Sequence, residues 1–252
     1  MADIDNFFSF QNKVDELTEA DSQQLNDYIA TVDAFARTTY MSMYLIDYHT
    51  KRFDYVSENP LFLCGLSAEE VKEMGYDFYF KFVVKEDLEL LQRINTIGFE
   101  YYQDIPMSER TKYTISYDFR LKNSANNTFL VNHRLTPLFL TEEGKIWKSF
   151  CIVSLSENKA PGNIKIYKQN DNKFWTYNLE KNYWDTNNKI ELSERERQIL
   201  YLSSQGLTIN DISDRIFVSV DTVKFHRKKL FEKIEVANIT EAISYATNNR
   251  LI

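Results

Sequence analysis

The segment VDTVKFHRKKLFEKI, residues 220–234, carries the side chains best suited to chemistry with a polyanion. On a helix turning about 100° per residue, Val220, Val223, Leu230, Phe231 and Ile234 fall in one apolar sector. Phe225 falls nearly opposite, beside Asp221, Lys228 and Lys229, while Lys224 and Lys228 share a flank. A basic face with one ring at its centre suits the DNA major groove. Lysines there meet phosphates or guanine edges, and an apolar group meets a thymine methyl. Each residue also has a plainer use. Lys228 and Lys229 fit a solvated face, and His226 fits a packed ring at the stripe's edge. Arg227 fits a stem lying on the apolar sector with its head in water, and Phe225 fits a contact with a second copy or a partner.

The charge distribution bears on this. The 252-residue chain has a net charge of −7, which is unusual for a DNA binder. From Ile190 onward there are nine basic and nine acidic residues, so the first 189 positions carry the whole excess. Within Ser219–Lys233 there are five basic and two acidic residues, which makes the positive charge local to one helix.

The elements that must position this helix are marked by caps. Ser193 with Glu196 and Thr208 with Asp211 form capping-box pairs, as does Asn238 with Glu241; Ser219 caps the basic helix. Gly206 is a natural stop for the first of these four helices. Only "FVS" separates the second helix from the third, and so tight a link predicts a helix-turn-helix.

The segment LSERERQILYLSSQGLTINDISDRIFVSVDTVKFHRKKLFEKI resembles the LuxR-type helix-turn-helix of bacterial transcription regulators, from Leu192 to about Ala246 without a gap. Its markers are Leu192-Ser193, Glu196, Ile199-Leu200, Gly206-Leu207-Thr208, Ile212, Ser219, Thr222-Val223-Lys224, His226 and Glu241-Ala242. The resemblance implies that the third helix enters the major groove and that the fourth helps pair two copies. It would turn Lys224, Phe225 and Lys228 toward base edges and set Thr222, His226 and Arg227 near phosphates. Lys229 is read as a phosphate contact. The family often has a smaller residue where this chain has Phe225.

Ahead of this lies an α+β pattern. Asp21–Arg37 predicts an amphipathic helix with Leu25, Tyr28, Ile29, Val32, Phe35 and Ala36 on one face, and Asp21 with Gln24 resembling a capping box. Two strand-like runs, "TYMSMYLIDYH" and "RFDYVS", come next. A short helix capped by Ser67 and Glu70 and a longer one, "EDLELLQRINTIGFEYY", follow. Three strands then close the pattern, giving an α+β sandwich with one antiparallel sheet. The order resembles a PAS domain over roughly Tyr40–Asn158, carried by "LFLCGLSAEEVKEMG", "FVVKEDLELL" and the ending "FCIVSLSEN". Val84-Lys85 stand where that family often has His-Pro. The resemblance implies a sensor or pairing module.

The fold class expected is therefore α+β, a PAS-like antiparallel sheet with helices, followed by an all-α four-helix helix-turn-helix domain. The expected divisions are an N-terminal helical segment over 1–38, the PAS-like domain over 39–158, an aromatic-rich linker with a hairpin over 159–191, and the DNA-binding domain over 192–252.

No cofactor is expected. Cys64 and Cys151 read as small apolar residues, His49 as a surface residue at a hairpin turn, and His133 as an inward histidine beside Phe129, Val131 and Leu135. There is no phosphate-binding glycine loop, no catalytic pairing and no metal-ligand spacing, so an enzyme is not expected. The start, "MADIDNFFSF", lacks signal-peptide features and no run reaches the ~18 apolar residues of a membrane span, which predicts a cytoplasmic protein. The expected partner is double-stranded DNA, bound as a homodimer. A small-molecule ligand in the PAS-like domain and a contact with RNA polymerase stay open. The alternative reading is a sigma-factor-like or protein-interaction module that uses the same basic helix on a protein partner.

Overall fold

The computed structural model describes residues 12–14, 17, 28–249 and 251. They form two compact units, Met1–Asn187 and Asn188–Ile252.

The first unit opens with α1 (Tyr28–Ala36), the described part of the expected Asp21–Arg37 helix. Leu25 and the Asp21–Gln24 cap lie outside the described residues. Ala36 is buried, whereas Ile29 and Phe35 face solvent, so the expected apolar face is only partly covered. The hairpin β1 (Ser42–Asp47) and β2 (Arg52–Val56) follows, then α2 (Pro60–Leu63), α3 (Ala68–Met74) and α4 (Asp77–Phe82). The Ser67–Glu70 capping box is present on α3. The long helix α5 (Lys85–Gln103) and a short 3-10 turn lead to β3 (Tyr113–Lys122), β4 (Thr128–Leu140) and β5 (Ile146–Leu155).

These strands are antiparallel in the order β2-β1-β5-β4-β3, with the helices inserted between β2 and β3. That is the PAS-like order. The alternation of "TFLVNHRL" sets His133 and Val131 on the inner face, both buried. The residues meeting there are mostly aromatic. Tyr44 and Phe62 stack with centroids 4.4 Å apart, and the Tyr44 hydroxyl shares hydrogen bonds with His133 Nε2 at 2.6 Å and with the Tyr79 hydroxyl. Cys64 and Cys151 are buried and unbonded to each other, as small apolar residues.

Two charge networks tie the unit together. Asp87, buried at the start of α5, accepts from the Arg120 amide at 2.7 Å, from Nε at 3.0 Å and from Nη2 at 2.6 Å. A carboxylate in the first turn also suits the helix dipole, so one side chain both complements the start of α5 and holds it to β3. Lys148 on β5 is buried between Asp47 and Asp54, and Tyr28 of α1 donates to Asp54 at 2.7 Å. Each of these three charges therefore has an oppositely charged partner, which a buried charge requires.

The segment 159–191, expected as a linker with a hairpin, extends the same sheet. β6 (Gly162–Lys168), β7 (Lys173–Asn178) and β8 (Tyr183–Asn188) continue the order beyond β3. Ile164 and Ile166 are buried in the unit's core, and Trp175 and Trp184 lie against Tyr101 of α5. The sequence gives no signal for β8, because "YWDTNN" has its two aromatics side by side and no clear alternation.

The second unit holds α6 (Glu194–Ser204), α7 (Ile209–Arg215), α8 (Val220–Ile234) and α9 (Ile239–Asn248). All four start at the expected caps, Ser193, Thr208, Ser219 and Asn238. α7 and α8 are the helix-turn-helix pair. Ile199, Leu202, Ile212, Ile216 and Val223 form one core between α6, α7 and the start of α8. Leu192, Leu200, Leu230, Ile234, Ala242 and Ala246 form another between α6, α9 and the end of α8.

Candidate nucleic-acid interface

α8 is held from behind. Val223, Leu230 and Ile234 are buried, so the opposite face must look outward. Phe225 is 53% exposed on that outer face. Lys224, Lys228 and Lys229 are exposed beside it. Lys229 Nζ lies over the face of the Phe225 ring, 4.6 Å from its centroid, which sets a cation against the ring.

Two of these lysines have weak partners on their own helix. Lys224 reaches Asp221 at 3.5 Å and Lys228 reaches Glu232 at 3.8 Å, all with well-exposed side chains. Exposed pairs of this kind contribute at most about 1 kcal/mol, so a phosphate can replace the carboxylates.

The other predicted site residues are half-buried. Thr222 shares a hydrogen bond with Ser219 at 2.8 Å at the helix start. His226 meets Phe225 edge-on with centroids 5.5 Å apart. Arg227 turns toward the packed side, its guanidinium 5.6 Å from the centroid of the Phe231 ring. Burial lowers its affinity for a proton. The structure thus groups Lys224, Phe225, Lys228 and Lys229 on one surface and sets Arg227 at its margin.

Two features of this unit were not read from the sequence. Phe217, in the turn between α7 and α8, is 94% exposed with a left-handed backbone at φ 55°. A bulky residue in that region is an outlier, and no pattern of types or spacing marks it. The second is an ion pair. Lys233 of α8 donates to Glu196 Oε2 at 2.9 Å, fixing the C-terminal end of α8 against α6. Burial alone would raise the Glu196 carboxyl, but hydrogen bonds from Lys233 and Ser193 outweigh it and hold the group below the usual carboxylate range.

Four packed helices presenting a short, tightly turned helix pair with an aromatic and basic outer face define a helix-turn-helix domain. Residues 191–246 match the bacterial regulatory proteins of the luxR family, so this part of the chain is a LuxR-type domain. The CsgBAC operon transcriptional regulatory protein of Escherichia coli (strain K12) is 43% identical over 58 residues, 23% of this chain and 27% of that protein. The transcriptional regulatory protein LiaR of Bacillus subtilis (strain 168) is 36% identical over 61 residues, 24% of this chain and 29% of that protein. The chain therefore spans less than a third of the length of these curated relatives, and the match lies in one domain. A solved structure of the VqmA dimer of Vibrio cholerae covers 88% of each chain at 17% identity, with a TM-score of 0.32. Among the described residues, no helix is long and apolar enough to cross a membrane.

Proposed function

We propose that this protein is a sequence-specific DNA-binding transcription regulator that acts as a homodimer in the cytoplasm. Its PAS-like unit senses a signal or pairs two copies, and no catalytic step is assigned to it. The observation that carries the reading is the outward surface of α8, where Phe225 is ringed by Lys224, Lys228 and Lys229 on a LuxR-type domain. In this reading Lys224, Phe225 and Lys228 meet base edges, and Thr222, His226, Arg227 and Lys229 lie near phosphates. Arg227 contributes less to the DNA than to packing, because its guanidinium lies over Phe231.

The test is selection of a preferred duplex from random sequences, followed by binding at two salt concentrations. A DNA contact predicts a preferred sequence and an affinity that falls steeply as salt rises. Absence of any DNA binding, with the same face protected by a protein partner, would favour the interaction-module reading instead.

A further inference from the structure

The centre of the PAS-like core is closed by its own side chains. Tyr44, Phe62, Phe78 and Phe119 are all fully buried there. A separate cavity of about 50 Å³ lies toward the C-terminal end of α5. Its walls include Gly98 and Tyr102 of α5, Ile115 of β3, Leu135 of β4 and Ile166 of β6. β6 lies outside the five-stranded PAS-like order, so this site depends on the sheet extension.

Three observations say what it would hold. Tyr102 is buried, lines the cavity, and its hydroxyl has no hydrogen-bond partner among the described residues. A buried donor left unmade is costly, and a bound acceptor would relieve it. Burial pushes the Tyr102 phenol up, so at neutral pH it keeps the proton it would donate. The remaining lining is aromatic and aliphatic apart from Asn95, with no charged side chain, which disfavours an ion. At Gly98, a Cβ would stand 3.0 Å from Ile115 Cδ1, so a side chain there would crowd the cavity wall.

The cavity also has a route outward. Ile166 is the cross-strand partner of both Ile115 and Trp175. Tyr101, another lining residue, sits with its ring centroid 5.8 Å from Trp175 and 5.0 Å from Trp184. β8 ends at Asn188 and α6 begins at Glu194, so the extension is the last strand element before the helix-turn-helix unit.

We propose that this cavity binds a small, uncharged, largely apolar molecule whose one hydrogen-bond acceptor takes the Tyr102 hydroxyl, and that occupancy shifts β6–β8 through Tyr101 and Ile166. Treating this as the regulatory input rests on the regulator reading; the binding itself does not.

The test uses the full chain with ¹⁵N-labelled tryptophan, titrated separately with cyclopentanone and with cyclopentane. The two probes share a ring, and only the ketone has an acceptor. Cyclopentanone should move the Trp175 and Trp184 indole signals saturably. Tyr102→Phe should weaken cyclopentanone binding by about tenfold and leave cyclopentane binding unchanged. Gly98→Leu, which fills the space from the helix side, should abolish binding of both and keeps the test open if the first variant misfolds. Equal ketone affinity in Tyr102→Phe, undiminished binding in Gly98→Leu, or no saturable shift with either probe would overturn the proposal. Because no DNA is present, failure of the regulator reading leaves this result untouched.

Discussion

Glu196 Oε2 receives two hydrogen bonds at once, from the Ser193 amide at 2.8 Å and from Lys233 Nζ at 2.9 Å. One oxygen therefore caps α6 and anchors the far end of α8. Glu196→Ala removes both, and we expect the helix-turn-helix unit to lose about 1–3 kcal/mol of stability. Denaturant unfolding followed by helical circular dichroism measures this. A loss within about 0.5 kcal/mol would mean that solvent replaces both bonds.

The two units should respond to acid in different ranges. His133 is buried, and burial pushes its pKa down from the ordinary 6.5 to about 3. Its neutral form is the folded one, so the stability it contributes is full above about pH 6.5 and is lost as pH falls toward 3. Glu196 and Asp211 are held below their ordinary values, the latter by hydrogen bonds from Thr208. Their contribution is present above about pH 4.5 and is lost only below it. Trp147, Trp175 and Trp184 all lie in the first unit, so tryptophan emission reports that unit alone. Its melting temperature should begin to fall between pH 6.5 and 5, while the helix-turn-helix transition, followed by calorimetry, holds until below pH 4.5.

Phe225→Ala should leave the melting temperature nearly unchanged, because the ring is exposed. Truncating a buried phenylalanine would instead cost about 3–5 kcal/mol. On the DNA-binding reading it should weaken the preferred site by roughly 1–3 kcal/mol and spare non-specific DNA. Fluorescence anisotropy with preferred and scrambled duplexes separates these outcomes.

Lys229→Ala should weaken all sequences alike and reduce the salt slope by about one. Lys229 also sits over the Phe225 ring, so the two substitutions should not be additive on the preferred site. A double-mutant cycle measures that coupling, and strict additivity would show that the lysine acts on phosphate alone.

The first unit should self-associate without the second. Ile29, Phe35 and Tyr40 are exposed on and just after α1, at 39%, 56% and 74%. The fragment to use is 1–188, because a cut near 159 would remove Ile164 and Ile166 from the core. Sedimentation at tens of micromolar should show a dimer, and Phe35→Glu should dissociate it. A monomer would move pairing to α9 or to the DNA complex.

As purified, the protein should be colourless. His133 Nε2 is engaged by Tyr44 at 2.6 Å, and its ring packs among Tyr44, Tyr117 and Phe119. A Soret or flavin absorption band at near-stoichiometric occupancy would contradict this.

The local elements were legible because their signals are local. A serine, threonine or asparagine with a carboxylate three residues on satisfies free amides within one turn, so Ser193, Thr208 and Asn238 mark helix starts wherever the helix ends up. The exposure of Phe225 followed from the same logic, since Val223, Leu230 and Ile234 fix which face of α8 is buried. The inner position of His133 came from two-residue alternation along β4.

Other features depend on partners distant in sequence, and only the tertiary structure decided them. The segment 159–191 became part of a sheet because β3 offered a free edge and α5 an aromatic face, neither of which its own residues encode. Glu196 met Lys233, and Asp87 met Arg120, because helix and strand packing brought separate turns together. The cavity beside Tyr102 exists for the same reason: packing leaves space only where surfaces from several elements fail to fill it, and no spacing along one element records that.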